Sequence, residues 1–298
     1  MSESLVSIVV VSYNQGKYIK EILDSVKAQT YKNWELIVAD DASPDNSVEE
    51  FKNWLTINNV DAKEIFHTKN TGLATVLNEA IEICAGKYVK LIAADDFMHP
   101  ECLEKSVNSL EEKGEEYGMV FTDTYCIDEN SNLLPDFADY NQLGNIPAED
   151  FRKELLKGNR IAALTVMMRA NVIKETGKYD SKFIVEDYYR WLKINEKYLI
   201  AYIPEKLSYY RWHDSNISKT KADLIDFEAH MLQIMFDHKG EVAEKINRFI
   251  AKNYYAKKKI PIELLNLYST YPYKIKRLYW SIKNNIPVNI YRIVNKLM

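Results

Sequence analysis

Two adjacent carboxylates, Asp95 and Asp96, directly follow an almost apolar run at residues 89–94, which has the length and composition of a buried strand. Burial of either charge without a partner would be strongly unfavourable, so a cation is expected near the end of this strand. Oxygen-only carboxylate pairs suit hard divalent ions that also bind phosphates, and Mg²⁺ or Mn²⁺ is therefore the first expectation. The simpler alternative is an Asp-Asp turn and helix cap before Pro100.

A second pair of acids, Asp40 and Asp41, ends another predicted strand in the same way. The first part of the chain alternates short β-branched runs with amphipathic segments, which is typical of parallel βαβ units covered by helices on both faces. In such sheets, ligands bind beyond the carboxyl ends of the strands. Because Asp41 and the later acid pair share that position, the sequence predicts one polar site there. The predicted strands are residues 6–11, 34–39, 63–67 and 89–94.

The rest of the chain carries further elements and one more acidic pair. Residues 128–150 lack periodicity and are expected to form a loop over the site. Glu186 and Asp187 open a predicted helix; because acids in a first turn favour the helix dipole, simple capping is the alternative role for this pair. From Ala222 onward the pattern is helical. The remaining predicted strands are residues 119–127, 162–168 and 199–203.

Together these elements predict an α/β fold, with a Rossmann-like, mixed but mainly parallel sheet flanked by helices and followed by a helical C-terminal extension. We expect residues 1–220 to form the sheet domain and residues 221–298 to form the helical region. A length of 298 residues, with 47% hydrophobic and 28% charged residues, is ordinary for one large globular domain with an appendage.

Cysteine usage and hydropathy bear on the cellular compartment. The three cysteines, Cys84, Cys102 and Cys126, are scattered and lack metal-ligand spacing, so reduced thiols in a reducing compartment are expected. The N-terminal apolar run lacks a basic lead and a cleavage site, and no signal peptide is predicted. No apolar run reaches the roughly 18 residues that would indicate a membrane span. We therefore expect a cytoplasmic protein.

The net charge of −4 conceals two regions of opposite sign. Residues 245–298 hold twelve Lys or Arg and one acid, Glu263, for a net +11, whereas residues 1–244 hold 27 bases and 42 acids, for a net −15. The basic region mixes its cations with Tyr, Trp, Ile and Leu, as is typical of segments that lie on an anionic membrane surface. The alternative is a helical appendage that packs on the first domain and has a solvated basic face. No nucleic-acid motif accompanies the basic residues, so no nucleic-acid partner is predicted.

Five motifs occur in order along the chain, namely SYN, ADDAS, AADDF, VEDYYRW and YYRWHDSNIS. In this order and at these intervals they resemble the family 2 glycosyltransferases, which have a GT-A fold. The resemblance covers about the first 220 residues, roughly three quarters of the chain. It implies a GT-A version of the predicted sheet.

The resemblance also implies roles for the strand-end residues. Val11 and Tyr13 match a segment whose backbone lies against the nucleotide base. Asp41 matches an acid that accepts a hydrogen bond from uracil, and Asp95 matches an acid that contacts the ribose. Asp96 matches the metal ligand of a DxD-type motif, which holds Mn²⁺ or Mg²⁺ against the diphosphate.

Three later residues receive roles in the same way. Asp187 matches the general base of the family. His213 matches a histidine that in some relatives joins the metal or the diphosphate, with Arg211 nearby as a phosphate partner. The alternatives are a surface or packed histidine and an Arg paired with an acid. Many relatives carry another acid where this chain has Ala93, so fewer protein oxygens are expected at the metal.

The implied function is that of an inverting, metal-dependent glycosyltransferase. It would move a sugar from a nucleotide donor, expected to be a UDP-sugar, to a hydroxyl of a glycan or lipid-linked glycan in surface polysaccharide synthesis, at the inner face of the cell membrane. A noncatalytic sugar-nucleotide-binding or scaffold protein is the alternative, supported by Ala93. A nucleotidyltransferase or NAD-binding enzyme is disfavoured, because SYNQGKY has one glycine where a GxGxxG phosphate loop needs three.

Overall fold

We describe the protein from a computed structural model, over residues 3–135, 146–214 and 216–291. The chain forms two compact units. The first, the sheet unit, contains residues 1–152 and 160–216. The second, the helical unit, contains residues 153–159 and 217–298.

One mixed sheet, with nine strands within the described ranges, forms the centre of the sheet unit. The strands are β1 (Val6–Ser12), β2 (Trp34–Asp40), β3 (Ala62–Phe66), β4 (Tyr88–Ala93), β5 (Phe97–Met98), β6 (Tyr117–Ile127), β7 (Leu133–Leu134), β8 (Met167–Arg169) and β9 (Leu199–Arg211). Their order across the sheet is β3-β2-β1-β4-β8-β6-β9-β5, and β7 pairs with β6.

The directions of the strands determine which loops meet. β1 is parallel to β2 and β4, and β2 is parallel to β3. β8 is antiparallel to both β4 and β6, so β4 and β6 run in the same direction, and β9 is parallel to β6. The carboxyl ends of β1, β2, β4, β6 and β9 therefore reach the same edge of the sheet, which we call the strand-end edge.

Local sequence explains the central strands and the helices around them. All seven residues of β1 are buried, which fits its β-branched sequence and its place between two parallel neighbours. In α1 the buried stripe Ile19, Ile22, Leu23 and Val26 recurs with helical period, and burial of each such side chain contributes about 1.5–3 kcal/mol. The helices that begin in this unit are α1 (Gly16–Lys27), α2 (Ser47–Asn58), α3 (Leu73–Glu82), α4 (Cys102–Lys113), α5 (Ala148–Lys157), α6 (Ala170–Thr176) and α7 (Glu186–Asn195).

The predicted mixed sheet and the helical C-terminal region are confirmed, but three segments differ from their predictions. Residues 162–168 were expected to be one strand, yet a 3₁₀ helix, Ala163–Thr165, precedes the short β8. β9 runs to Arg211 and not to residue 203, because register shifts against β6 let the strand continue past Pro204. The expected loop at 128–150 contains β7 and the start of α5, and its residues 136–145 lie outside the described ranges.

Five helices make up most of the helical unit: α8 (Ile217–Thr220), α9 (Ala222–Phe236), α10 (Ala243–Tyr255), α11 (Ile262–Thr270) and α12 (Lys276–Lys283). α9 packs against α10 and α11, and α11 packs against α12. Asp237 ties this packing together, because its carboxylate accepts hydrogen bonds from the Val242 amide at 3.1 Å and the Tyr271 hydroxyl at 2.5 Å. Within the described ranges, every helix is too short or too polar to cross a membrane.

Candidate functional site

The loops that follow β1 and β2 are bound to each other at the strand-end edge. The Asn14 amide donates to Ser43 Oγ at 2.8 Å, and the Gly16 amide donates to Asp45 Oδ2 at 2.9 Å. A Cβ atom on Gly16 would lie 2.4 Å from Asn46 Oδ1, so the two loops approach each other closely at this glycine. The two loops therefore have a fixed relative position.

Val11 and Tyr13 lie on this rigid edge, as predicted for a wall against a nucleotide base. Val11 is buried, and its carbonyl accepts a hydrogen bond from the Ala94 amide at 2.9 Å. Tyr13 is half-exposed. An aromatic ring exposed beside ordered backbone can stack on a planar ligand, but the contact with a base stays a prediction.

The first acid pair accepts several hydrogen bonds from protein donors. The carboxylate of Asp40 stabilises the turn that follows it, because it accepts hydrogen bonds from the Ser43 amide at 2.8 Å and from Ser43 Oγ at 2.5 Å. Asp41 accepts from the amides of Thr71 and Gly72 at 2.8 and 2.7 Å and from Thr71 Oγ1 at 3.0 Å. Its Oδ1 also lies 2.9 Å from Nδ1 of His67. Burial raises the pKa of Asp41, but these hydrogen bonds outweigh burial, and its pKa lies below the ordinary value.

His67 was missed by the sequence analysis, although it is the last residue of the predicted third strand. Its two ring nitrogens contact two carboxylates, Asp41 at 2.9 Å and Glu79 at 2.8 Å. Burial lowers the pKa of His67, but the two acids outweigh burial and raise its pKa overall. His67 therefore links the end of β2 to α3.

The second acid pair, Asp95 and Asp96, is buried at the end of β4. Oδ1 of Asp96 accepts a hydrogen bond from the Arg211 amide at 2.9 Å. Burial and the charge of Asp95 raise the pKa of Asp96, and the charge of Arg211 offsets this only in part. The two acid pairs thus look alike in sequence but have opposite pKa shifts at Asp41 and Asp96.

His213 joins this second pair. Its Nε2 lies 3.0 Å from Oδ2 of Asp95, and its ring stacks against Tyr18 with centroids 6.2 Å apart. The nitrogen that was expected to bind a metal or a diphosphate is therefore in contact with Asp95. The role of His213 at a metal or a diphosphate stays a prediction.

Arg211, the predicted phosphate partner, is buried, and its guanidinium is surrounded by protein oxygens. Its Nε donates to the Asp95 carbonyl at 2.7 Å, and its Nη1 donates to the Asp128 carbonyl and Ser131 Oγ, both at 3.0 Å. Its Nη2 forms an ion pair with Glu21. The guanidinium also lies 4.3 Å from the ring centroid of Tyr18. Arg211 thus joins the ends of β4 and β6 to α1, and its role as a phosphate partner stays a prediction.

Lys90 is a further cation of this unit, and the sequence analysis assigned it no role. It lies within β4, is completely buried, and donates from Nζ to the Leu164 carbonyl at 2.5 Å. Burial lowers the pKa of Lys90, although Cys102 and Asp96 favour its charged form. A lysine inside an otherwise apolar strand was the available signal, and its charge in turn lowers the pKa of Asp96.

The donor atoms at Asp96 fit a divalent cation that is shared with a phosphate ligand. Among the described residues, no three His, Cys, Asp or Glu side chains are grouped to hold a metal by themselves. A cation would nevertheless stabilise the charged form of Asp96, whose burial and proximity to Asp95 disfavour ionisation. Mg²⁺ commonly uses one or two carboxylates and takes its other ligands from substrate phosphates and water. Asp96, with Asp95 beside it, could hold such an ion together with a ligand, and metal binding here stays a prediction.

Asp187 lies in the first turn of α7, and its Oδ1 accepts a hydrogen bond from the Tyr188 amide at 2.5 Å. α7 packs against β6 and β9 and ends just before β9 begins. A helix that returns along the sheet in this way carries its N-terminal turn toward the strand-end edge. The contacts described above join Asp95, Asp96, Arg211 and His213. Asp187 belongs to a separate helix, α7. Its role as a general base stays a prediction.

Comparisons with known proteins agree with the fold and identify the family. The model of the family described as "Glycosyl transferase family 2" matches residues 7–175. An uncharacterised glycosyltransferase of Methanocaldococcus jannaschii is 30% identical over 228 residues, which cover 74% of this chain and 76% of that protein. TuaG of Bacillus subtilis, named as a teichuronic acid biosynthesis glycosyltransferase, is 28% identical over 220 residues, or 73% of this chain and 82% of TuaG.

A solved structure supports the same assignment at the level of the fold. TarS of S. aureus, residues 1–349 in complex with UDP-GlcNAc, superposes with a TM-score of 0.68 and 17% identity, over 92% of this chain and 85% of that one. This similarity confirms the predicted GT-A fold, and the family model covers more than half of the sequence. The chain therefore belongs to glycosyltransferase family 2.

Proposed function

We propose that the protein transfers a sugar, with inversion, from a UDP-sugar to a hydroxyl group of a glycan or lipid-linked glycan, with help from a divalent metal. One observation carries the proposal: two buried carboxylates, Asp95 and Asp96, meet His213 and Arg211 at the strand-end edge of a family 2 fold. A charge cluster of this kind, beyond the ends of parallel strands, suits a phosphate ligand that arrives with its cation.

Asp41 supports the assignment of uracil as the base. A carboxylate offers about four acceptor positions. Three protein contacts fall on Oδ1 of Asp41 and one falls on Oδ2, so Oδ2 retains capacity to accept the uracil N–H. The depressed pKa of Asp41 keeps it ionised as an acceptor. That TarS was solved with UDP-GlcNAc agrees with a uridine donor.

The leaving group sets the chemical requirement at the second acid pair. Negative charge grows on the diphosphate as the anomeric carbon–oxygen bond breaks, and Mn²⁺ or Mg²⁺ at Asp96 would stabilise that charge. Asp95 would orient the ribose, and Arg211 holds both acids in place through its backbone amide and its guanidinium. His213, paired with Asp95, is the remaining polar group that could face the diphosphate.

Asp187 is the proposed general base. It would take the proton of the acceptor hydroxyl as that oxygen attacks the anomeric carbon, and a base of this type contributes about 100- to 10,000-fold to the rate. A single base without a second nucleophile gives one displacement and therefore inversion at the anomeric carbon.

Transfer measured with purified protein tests the assignment of the base. Asp187→Asn should lose about 100- to 10,000-fold in transfer rate and keep its affinity for UDP. Glu186→Gln, in the same helical turn, is the matched control and should stay active. Equal activity of Asp187→Asn and the parent would exclude Asp187 as the base.

A screen of UDP-, GDP- and TDP-sugars by thermal shift, with and without Mn²⁺, tests the donor and the metal together. Because a ligand that binds only the folded state raises its stability, the UDP-sugars should produce the largest shift, and Mn²⁺ should increase it. A larger shift with GDP-sugars would contradict the uridine assignment, and equal shifts without Mn²⁺ would contradict the metal.

A noncatalytic sugar-nucleotide-binding or scaffold protein is the second candidate. Ala93 in place of an acid, together with the lack of a three-ligand group among the described residues, favours it. This candidate predicts UDP binding with neither transfer nor hydrolysis of any UDP-sugar. The hydrolysis assay therefore separates the two functions.

The proposed role in the cell is polysaccharide synthesis in the cytoplasm, at the inner face of the membrane. The name of TuaG, which refers to teichuronic acid biosynthesis, supports a polysaccharide product. The net +11 of residues 245–298 supports a location near anionic lipid. A glycan carried by a lipid would be presented at that surface.

A further inference from the structure

The outer face of α12 combines exposed cations with an exposed tryptophan. Lys276, Trp280 and Lys283 are spaced at i, i+4 and i+7, and all three are exposed, whereas Leu278 and Ser281 of the same helix are buried. The side chain of Trp280 is 59% exposed. Tryptophan is highly buried on average, because its ring removes a large apolar area from water when it is covered. An exposed tryptophan therefore indicates a candidate contact surface.

The cations on this helix are not used within the protein. Over the described ranges, Lys276, Arg277 and Lys283 form no ion pair, in contrast to Lys258 and Arg248 elsewhere in the helical unit, which pair with Asp223 and Glu244. α12 contains no acid. Its positive field is therefore available to an external partner.

We propose that this face of α12 docks on an anionic lipid surface, with Trp280 in the interfacial layer and Lys276, Arg277 and Lys283 against the headgroups. Tryptophan prefers the boundary between headgroups and acyl chains, and basic residues add attraction to anionic lipid. The residues just before the helix extend its apolar character, since Tyr273 and Ile275 are also exposed. A second copy of the same face is disfavoured as the partner because it would oppose like charges.

The inference deepens the proposed function, because an acceptor attached to lipid would lie at the surface to which α12 binds. Docking of α12 on lipid requires neither the proposed base nor the proposed metal. The two ideas can therefore fail separately: loss of transfer with vesicle binding intact contradicts only the catalytic proposal, and the reverse result contradicts only the docking proposal.

Vesicle sedimentation of the full chain tests the proposal. The parent protein should sediment at low salt with phosphatidylcholine vesicles that contain about one third phosphatidylglycerol, and much less with pure phosphatidylcholine. Sedimentation should fall at about 0.5 M salt, because salt screens the attraction to the headgroups. Absence of sedimentation with the anionic vesicles at low salt, or equal sedimentation with the neutral ones, would overturn the proposal.

Surface variants locate the contact. Lys276→Gln/Arg277→Gln/Lys283→Gln should weaken partitioning by about fivefold for each cation removed, and Trp280→Ala should weaken it by a similar factor. Ile57→Ala, which removes an 81% exposed apolar side chain from α2, is the matched control and should bind as the parent does. Circular dichroism melts confirm that the variants are folded. If the α12 variants sediment like the parent, the docking face lies elsewhere and the proposal is wrong.

Discussion

The acid pairs at the ends of β2 and β4 share a sequence pattern, but Asp41 and Asp96 have different surroundings and opposite pKa shifts. At Asp41, four protein donors outweigh burial and lower the pKa. At Asp96, burial and the adjacent Asp95 raise the pKa, although the Arg211 amide donates a hydrogen bond to its carboxylate. The difference teaches that protein donors stabilise the ionised form of Asp41, whereas the ionised form of Asp96 lacks comparable support, which is the reason that we propose a cation there.

Removal of the Arg211 side chain should have the largest effect, because its guanidinium joins the Asp95 carbonyl to the loop after β6 and to Glu21. Arg211→Met leaves two carbonyls, the Ser131 hydroxyl and Glu21 without this donor, and each buried polar group left unsatisfied costs about 1–3 kcal/mol. Urea unfolding measures this loss. Arg248→Met, at an exposed pair, is the control and should change stability by less than about 0.5 kcal/mol. Similar stability of the two variants would remove Arg211 from the centre of the site.

The variants Asp96→Asn and Asp41→Asn should sharpen the contrast between the pairs. Asp96→Asn should lower transfer by about 100- to 1,000-fold, because a preorganised charge is lost, with stability kept or increased as the repulsion by Asp95 is relieved. Asp41→Asn should lower the free energy of unfolding by about 1–3 kcal/mol, because buried donors lose an ionised acceptor. Urea unfolding and transfer rates measure both. The opposite pattern, with Asp96→Asn the less stable, would reverse our interpretation.

The pH dependence of stability should report on His67. Its pKa is raised by folding, so the stability that it contributes is fully present below its unfolded pKa of about 6.5 and is lost as pH rises through the folded value. The stability difference between the parent and His67→Gln should therefore be largest near pH 6 and shrink toward about pH 9. His238→Gln, at an exposed histidine, is the control. A difference that is constant over this range would mean that folding leaves the pKa of His67 unchanged.

Ser43→Ala should have the smallest effect. It removes hydroxyl contacts to Asp40 Oδ2 and to the Asn14 amide, at a cost of about 1 kcal/mol in stability. Transfer should stay within about twofold of the parent, since Asp40 belongs to the turn and not to the ligand site. A large loss of transfer would show that the loops after β1 and β2 must be held more rigidly than we infer.

Local patterns were sufficient to predict the sheet, most helices and both acid pairs. β1 and α1 follow their apolar periodicity, and the family motifs have the expected order. What could not be predicted depends on pairing across long stretches of chain. Asp96 and Arg211 are 115 residues apart, so the use of Arg211 inside the protein becomes visible only when β4 and β9 lie in one sheet. The contact of His67 with both Asp41 and Glu79 likewise depends on the packing of α3.

The position of β9 has a consequence for biogenesis. β9 is the last strand in the described chain, and its final residue supplies the contacts that hold Asp95 and Asp96. A ribosome-bound chain that has not yet emerged beyond residue 211 lacks the contacts of Arg211 with Asp95 and Asp96. Pairing of residues so far apart along the chain is also a slow step in folding. Donor binding during translation should therefore begin only after β9 has joined the sheet.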